Sequence, residues 1–527
     1  MSKRFYITTA IDYVNGQPHL GHAYEKIIAD VIARARRGLG EEVFFLTGLD
    51  EHGQKVQQAA VAEGKSPQVY CDEFAACWEN FARTLGLTND NFVRTTDSRH
   101  KKVVQAILTK LNAEGHFYKA VYTGFYSQSA ETFLTEKDRL PDGTFDASYG
   151  KVVELQEENY YFKLQAHQQW LIDYIEADPN FVQPGYRRNE VLGFLKNNVL
   201  EDLCISRPAA RLNWGIPIPF DENYVTYVWF DALVNYISIP AAHGDKTVQS
   251  AISHQPSTEN SETQNSKLSL WPADVHVIGK DILKFHTVYW PIMLKAMGLP
   301  LPKQVLVHGW WQKDGEKMSK STGVSVDPIS VIQEWGLDAF RFYVLRELAI
   351  GPDGNWTDAG FQSRYQAELA NGLGNLVNRS LSMLKRYRAG KIPARHDELS
   401  PDAERAVQET IANFRDNDLQ GALQSIWTLV NRANLYVEQT APFKLAKDPA
   451  QAARLDEVLY NLCESCRILA VLLNPFLPET SAKIYAQLCL NESPDKFSQT
   501  TWGRLQTDHE IGEPAALFPR KDKPAVG

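Results

Sequence analysis

A chain of 527 residues, with 44 % hydrophobic and 23 % charged side chains, has a water-soluble composition and is long enough for about three or four structural units that bury their own cores. Its net charge of −9 excludes a uniformly basic nucleic-acid coat while leaving room for a local basic groove. Six scattered cysteines exclude a disulfide framework, and no apolar run approaches the roughly 18 residues of a membrane helix, so a reducing, cytoplasmic setting is expected.

Met1 leads directly into the strand-like run Arg4-Phe-Tyr-Ile-Thr-Thr, without the pattern of a signal peptide. Phe5–Ala10 and Val43–Gly48 read as buried parallel strands, and Gly21–Arg37 between them as a helix with Ile27, Ile28, Val31 and Ile32 on one face. Strand, helix, strand at this spacing predicts a doubly wound α/β sheet whose first half spans residues 1–115. Residues 116–216 are rich in aromatics and turn signals such as Pro141-Asp-Gly-Thr, and predict an inserted mixed domain. The sheet resumes over 217–320, with a strand at Val275–Ile278, a helix over Asp281–Met297 and a strand at Gln304–Gly309. Residues 241–269 are polar and read as a surface loop. After a connecting region at 321–358, helical periodicity recurs in Phe361–Arg388, Pro401–Asp416, Leu419–Lys447 and Leu455–Leu488, giving an all-α bundle over 359–520 and a disordered tail at 521–527.

Two motifs carry chemistry. Pro18-His19-Leu20-Gly21-His22 sits between the first strand and the first helix, where unpaired N–H groups and the helix dipole suit phosphate and Gly21 admits close backbone approach. The competing reading is a pair of polar residues that cap the helix. Glu316-Lys317-Met318-Ser319-Lys320-Ser321-Thr322-Gly323 follows the last strand, and its lysines and hydroxyls make a cationic loop suited to a polyphosphate. No Walker loop, dinucleotide glycine fingerprint or zinc-protease motif competes with them.

Together the two motifs resemble the paired signatures of class I aminoacyl-tRNA synthetases. Within that class the chain is most similar to the methionyl-tRNA synthetases, through Ile7-Thr-Thr-Ala-Ile-Asp-Tyr-Val-Asn-Gly, Thr47-Gly-Leu-Asp-Glu-His-Gly, Cys204-Ile-Ser-Arg-Pro, Asn213-Trp-Gly-Ile-Pro, Tyr227-Val-Trp-Phe-Asp-Ala, Ile278-Gly-Lys-Asp-Ile and Val307-His-Gly-Trp. The resemblance implies methionine activation by ATP to an adenylate, with release of pyrophosphate, followed by transfer to the 3′ end of tRNA(Met). It implies an ATP site of His19, Gly21, His22, Gly279, Asp281, Lys317, Ser319, Lys320 and Ser321, in which His19, His22, Lys317 and Lys320 neutralise the phosphoryl transition state. It implies a methionine site in which Asp50 holds the ammonium and Ile11, Tyr13, Trp229, Ala232, Tyr236, Ile282 and His286 wall the thioether. Asp50 also fits as the N-cap of a helix over Glu51–Glu63.

Magnesium is expected with ATP. Zinc is not, because Ser127 and Ala130 stand where many relatives place a cysteine pair, and no cysteine follows through Tyr160. Cys463 and Cys466 read as helix-packed thiols. An insertion of about 100 residues is too short for the editing domain of the leucyl, isoleucyl and valyl enzymes. Asn375 and Arg379 share a helix face and match the anticodon-reading pair. Phe443 is either the stacking platform for an unpaired base or a core aromatic beside a helix-ending proline. The resemblance implies a monomer whose partners are tRNA(Met), ATP and L-methionine, with no membrane. A binding paralogue without catalysis, and a nucleotidyltransferase acting without tRNA, are the rival readings; the intact ATP motifs oppose the first and the long helical half opposes the second.

Overall fold

A parallel sheet covered by helices on both faces requires strands that are apolar on both sides, and the first apolar runs meet that requirement: Phe5, Tyr6 and Ile7 are all buried, as are Phe45, Leu46 and Leu49. The computed structural model describes residues 3–14, 16–127, 132–134, 138–253, 269–317 and 325–520. The stretch holding Ser319, Lys320 and Ser321, most of the polar segment after residue 253, Ala130 and the tail from 521 lie outside the described residues.

In chain order the first half contains β1 (Arg4–Thr9), β2 (Asp12–Tyr13), α1 (Leu20–Gly38), β3 (Glu42–Asp50), α2 (Gln54–Ala62), α3 (Pro67–Thr84), β4 (Asn91–Arg94) and α4 (Ser98–Ala113). An antiparallel sheet follows, built on β5 (Phe117–Ser127), β6 (Thr132–Leu134) and β7 (Val152–Phe162), with β5 and β7 paired from Phe117↔Phe162 to Ser127↔Val152. Next come α5 (Gln168–Ala177), β8 (Val182–Gln183), α6 (Gly185–Asn197), β9 (Leu203–Cys204), β10 (Ser206–Pro208), β11 (Tyr224–Thr226), α7 (Val228–Leu233), α8 (Asn235–Ala242) and α9 (Lys246–Ile252). The return to the main sheet is made by β12 (Val275–Gly279), α10 (Trp290–Met297) and β13 (Val305–His308), before β14 (Trp311–Lys313) and β15 (Glu316–Lys317).

The main sheet has the order β2-β3-β1-β12-β13-β8, with β4 paired to β3. Every pairing in it is parallel, with Ile7 opposite Phe45 on one side and Val275 on the other. Strand order therefore runs outward in both directions from the β1–β12 junction, the switch point at which such sheets open a crevice at their carboxyl ends.

Three local differences from the sequence reading have plain causes. The segment 241–269 is not all loop: Asp245 caps α9 by accepting from the Thr247 and Val248 N–H groups, and Val248 is buried. The helical run from Asp281 starts as a 3-10 turn over Lys280–Ile282 and a π-helical stretch over Phe285–Tyr289 before α10. The last periodic run, Leu455–Leu488, is two helices, α18 (Ala452–Leu473) and α19 (Pro478–Gln487), because Pro475 and Pro478 cannot continue the ladder.

Preceding them, α11 (Pro328–Trp335), α12 (Leu337–Arg346), β16 (Gly354–Trp356), α13 (Asp358–Arg364), α14 (Asn375–Arg388), α15 (Ser400–Arg415), α16 (Leu419–Thr440) and the short α17 (Pro442–Leu445) complete the helical half. Residues 365–374 between α13 and α14 are π-helical. Cys463 and Cys466 are both buried in α18. No helix among the described residues is long and apolar enough to cross a membrane.

One buried carboxylate in the core is held between two imidazoles. Asp231 on α7 is fully buried and lies 2.5 Å from His52 Nδ1 and 2.7 Å from His100 Nε2. Burial opposes its charge, but the two imidazoles outweigh that and bring its pKa from 3.8 to about 2. A depressed carboxyl contributes stability that is present above its unfolded value and lost as pH falls through its folded one. We expect the urea midpoint to fall between pH about 4 and about 2, with a shallower fall in Asp231→Asn across the same window; equal slopes would remove Asp231 from the acid transition.

Candidate active site

The switch-point crevice is a cavity of about 810 Å³. Its walls come from the carboxyl ends of β1, β3, β12 and β13, from the start of α1, and from α7 and α8. Every described residue assigned to the methionine site faces it: Ile11, Tyr13, Asp50, Trp229, Ala232, Tyr236, Ile282 and His286. So do His19, Gly21, His22, Gly279 and Asp281 of the ATP site. Lys317 is the last residue of β15, and Ser319, Lys320 and Ser321 lie outside the described residues.

Asp50 is the last residue of β3 and is buried, with its backbone carbonyl accepting from Val14 N–H. The helix after it starts at Gln54 with Gly53 at the N-cap, so the alternative in which Asp50 caps that helix is overturned. Glu51 beside it is buried and bonded to Arg94 Nε at 2.6 Å, and the Trp214 indole donates to the Glu51 carbonyl at 2.5 Å. The strand end that carries Asp50 is thus held from both sides.

The apolar wall is aromatic. Trp229 stacks on Phe285 with centroids 3.7 Å apart and meets Tyr13 edge-on at 6.5 Å. His286 Nδ1 lies 3.0 Å from the Ile282 carbonyl and must donate to it, which leaves Nε2 to accept from the Tyr236 hydroxyl at 2.8 Å. Burial holds the imidazole neutral, lowering its pKa to about 4. The end of the slot is therefore uncharged and polarisable.

On the nucleotide side, His19 is the N-cap of α1: its Nδ1 accepts from Gly21 N–H at 3.1 Å, and His22 Nδ1 accepts from His19 N–H at 3.2 Å. The two rings stack at 3.7 Å. A Cβ on Gly21 would sit 3.0 Å from the His19 ring, close enough that the ring would have to shift by a few tenths of an ångström. Each ring uses Nδ1 for the cap, and His22 Nε2, on its opposite side, lies 3.8 Å from Asp12 Oδ1. Gly279 is similarly constrained, since a Cβ would meet Asp281 Oδ1 at 2.6 Å. Asp281 Oδ1 accepts from the Trp310 indole at 3.1 Å, and Lys280 pairs with Asp353 at 2.6 Å while lying over the Trp310 ring.

Sequence reading missed a charged cluster at the floor. Lys26 lies 2.7 Å from Asp12 and 3.1 Å from Glu25, and His308 Nε2 lies 3.3 Å from Glu25. Burial pushes the Asp12 carboxyl up to about 7 against the pull of Lys26. Burial also opposes charge on Glu25, yet Lys26 and His308 bring its carboxyl below the usual range. Asp12, Glu25, His308, Trp310 and Asn235 all line the cavity. The available signal was two adjacent charges, Glu25-Lys26, in a helix whose neighbours are core residues.

In the helical half, Asn375 opens α14 and Arg379 stands one turn on, both half-buried. Phe443 is 46 % exposed on α17, which overturns the core-aromatic alternative. Ala441 before it adopts a left-handed backbone (φ 42°) that ends α16 and turns the chain.

Comparison with known proteins agrees along the chain. A family model described as class I tRNA synthetases (M) matches residues 5–154 and 146–381, and one described as the anticodon binding domain of methionyl tRNA ligase matches 388–523. A methionine–tRNA ligase of Caldanaerobacter subterraneus is 41 % identical over 99 % of this chain and 80 % of its own length. That of Bacillus subtilis is 42 % identical over 98 % and 78 %. The structure of Mycobacterium tuberculosis methionyl-tRNA synthetase in complex with methionyl-adenylate superposes with a TM-score of 0.88 at 35 % identity, covering 98 % of this chain and all of that one. Its free form gives 0.84 at 33 % identity, covering 99 % of each.

Proposed function

The chain belongs to the class I methionyl-tRNA synthetases, and from that premise we infer that its cavity activates methionine with ATP and passes the acyl group to tRNA(Met). The observation that carries the assignment of residues is the meeting, in one cavity, of a buried carboxylate, an aromatic slot ending in a neutral histidine, and a histidine-capped helix N-terminus. Asp50 holds the ammonium of methionine by a charge-assisted contact. The thioether lies against Trp229, Tyr236 and His286, where a charged imidazole would be unfavourable. The methionine carboxylate is then directed at the α-phosphate of ATP, which lies along the start of α1. His19, His22 and the Lys317–Lys320 segment supply positive charge as the phosphoryl group transfers, so catalysis is mainly positioning and charge neutralisation. Magnesium arrives with ATP as part of the nucleotide substrate. The inserted antiparallel sheet is read as zinc-free, since its sequence offers no thiol before Cys204. Cytoplasmic location and a monomeric state complete the proposal.

The test is amino-acid-dependent ATP–pyrophosphate exchange with all twenty amino acids in zinc-free buffer. Exchange with methionine alone is expected. Exchange only after zinc addition would overturn the zinc-free reading, and none with methionine would overturn the assignment of the cavity. For the anticodon, base–aromatic stacking contributes about 1–3 kcal/mol, so Phe443→Ala is expected to raise the KM for tRNA about 5- to 150-fold while leaving exchange unchanged. An unaltered KM would remove Phe443 from the interface.

A further inference from the structure

Behind the apolar wall lies a carboxylate that none of these steps uses. Asp231 sits on α7 two residues beyond Trp229 and beside Ala232, with no exposed surface. Its Oδ2 is 2.5 Å from His52 Nδ1, and its Oδ1 is 2.7 Å from His100 Nε2 on α4. His52 stands two residues past Asp50 and meets the Trp214 ring at 5.6 Å. His100 Nδ1 lies 3.0 Å from Ser238 Oγ on α8, the helix that carries Tyr236. Both imidazoles are buried too. An ionised carboxylate only accepts hydrogen bonds, so each ring must present an N–H to Asp231, and both tautomers are thereby set at those nitrogens.

We propose that Asp231 is a positioning residue for methionine: by holding one imidazole on each oxygen, it fixes the spacing between Asp50 on β3 and the Trp229, Ala232 and Tyr236 wall on α7 and α8. The inference rests on the methionine reading of the cavity. What makes it more than core architecture is which elements are tied. His52 follows the strand that presents the ammonium site, and Asp231 and Ser238 lie on the helices that present the side-chain wall. The nucleotide residues His19, His22, Gly279 and Asp281 stand at the start of α1 and at or just after the end of β12, and the hydrogen bonds that form the three-residue lock include none of them. Loosening it should therefore displace the amino-acid site and spare the ATP site.

Steady-state pyrophosphate exchange separates the two, with KM measured for methionine and for ATP in each variant. Asp231→Asn keeps the shape but offers one acceptor and one donor, so it cannot accept from both rings. His52→Ala removes one arm, whereas His52→Asn restores an N–H near the place of Nδ1. Since misplacement by about 1 Å can cost about 100-fold, Asp231→Asn and His52→Ala are expected to raise the methionine KM about 10- to 100-fold, with the ATP KM within about twofold. His52→Asn should return close to the unaltered value. A joint rise in both KM values, no rise in methionine KM, or a His52→Asn variant no better than His52→Ala would overturn the proposal. If Asp231→Asn does not fold, the two His52 variants decide it. Failure of the underlying reading looks different: the unaltered protein would then show no methionine-dependent exchange.

Discussion

Asp50→Asn is expected to lower kcat/KM for methionine in pyrophosphate exchange by about 30- to 4,000-fold, with the ATP KM little changed. Removing one partner of a buried, hydrogen-bonded charge pair costs about 2–5 kcal/mol, much of it from leaving the other charge desolvated and uncompensated. Asp50 is 2 % exposed at the end of β3, so water cannot substitute for its carboxylate beside a bound ammonium. The asparagine keeps the volume, and the strand end stays fixed by Glu51–Arg94 and by Trp214. The loss should therefore appear in binding and activation of methionine rather than in folding, which circular dichroism and the urea midpoint would verify. A kcat/KM within about threefold of the unaltered protein would move the ammonium site elsewhere.

The second large effect is on stability. Arg341 on α12 has no exposed surface. Its guanidinium donates to Asp30 Oδ2 on α1 at 2.7 Å and to the carbonyls of Phe476, Leu85 and Pro475 at 2.9, 3.1 and 3.0 Å. One side chain thus joins the first helix of the parallel-sheet half to the turn between α18 and α19. Burial opposes charge on both partners, but Arg341 and Arg34 still hold the Asp30 carboxyl below its usual range. Arg341→Met is expected to destabilise by about 3–5 kcal/mol, because it leaves a buried carboxylate with one partner fewer and three carbonyls to be satisfied anew. The measurement is urea unfolding followed by tryptophan fluorescence and by far-UV circular dichroism together. An unmoved midpoint would show that the contact contributes nothing; separate transitions from the two probes would show the halves uncoupled. Arg341→Lys should recover only part, since a single ammonium cannot reproduce the planar fork.

Much of this was legible in the sequence because the relevant signals are local. The mostly apolar runs at Phe5–Ala10 and Val275–Ile278 read as buried strands, and their alternation with helical periods places a crevice at their carboxyl ends. The first turn of α1 reads from its own residues as facing that crevice, and His19 and His22 do line it; Ile11, Tyr13, Gly279 and Asp281, brought in through family resemblance, line it too. The motifs at Thr47–Gly53 and Tyr227–Ala232 brought in Asp50 and Trp229 through family resemblance rather than geometry, and the fold places them on the same cavity.

What the sequence could not decide is which polar residues lose their water. Helix α1 reads as amphipathic, with an apolar face toward the sheet, and its other face carries Glu25, Lys26, Asp30 and Arg36. All four are buried: Glu25 and Lys26 by His308 and Asp12 at the carboxyl ends of the strands, and Asp30 and Arg36 by the helical half, from which Arg341 on α12 reaches Asp30 and the Arg415 carbonyl accepts from Arg36. Likewise His52, His100 and Asp231 are far apart in sequence and unremarkable singly, and only the packing of α4 and α7 on the end of β3 makes them one hydrogen-bonded unit. Periodicity reports one helix and its nearest sheet, whereas the desolvation that shifts a carboxyl or compels a charge pair depends on every element that arrives afterwards. The sequence by itself determined the strands, the crevice and the family; the tertiary structure decided which charges are buried, and so which of them hold the site in shape.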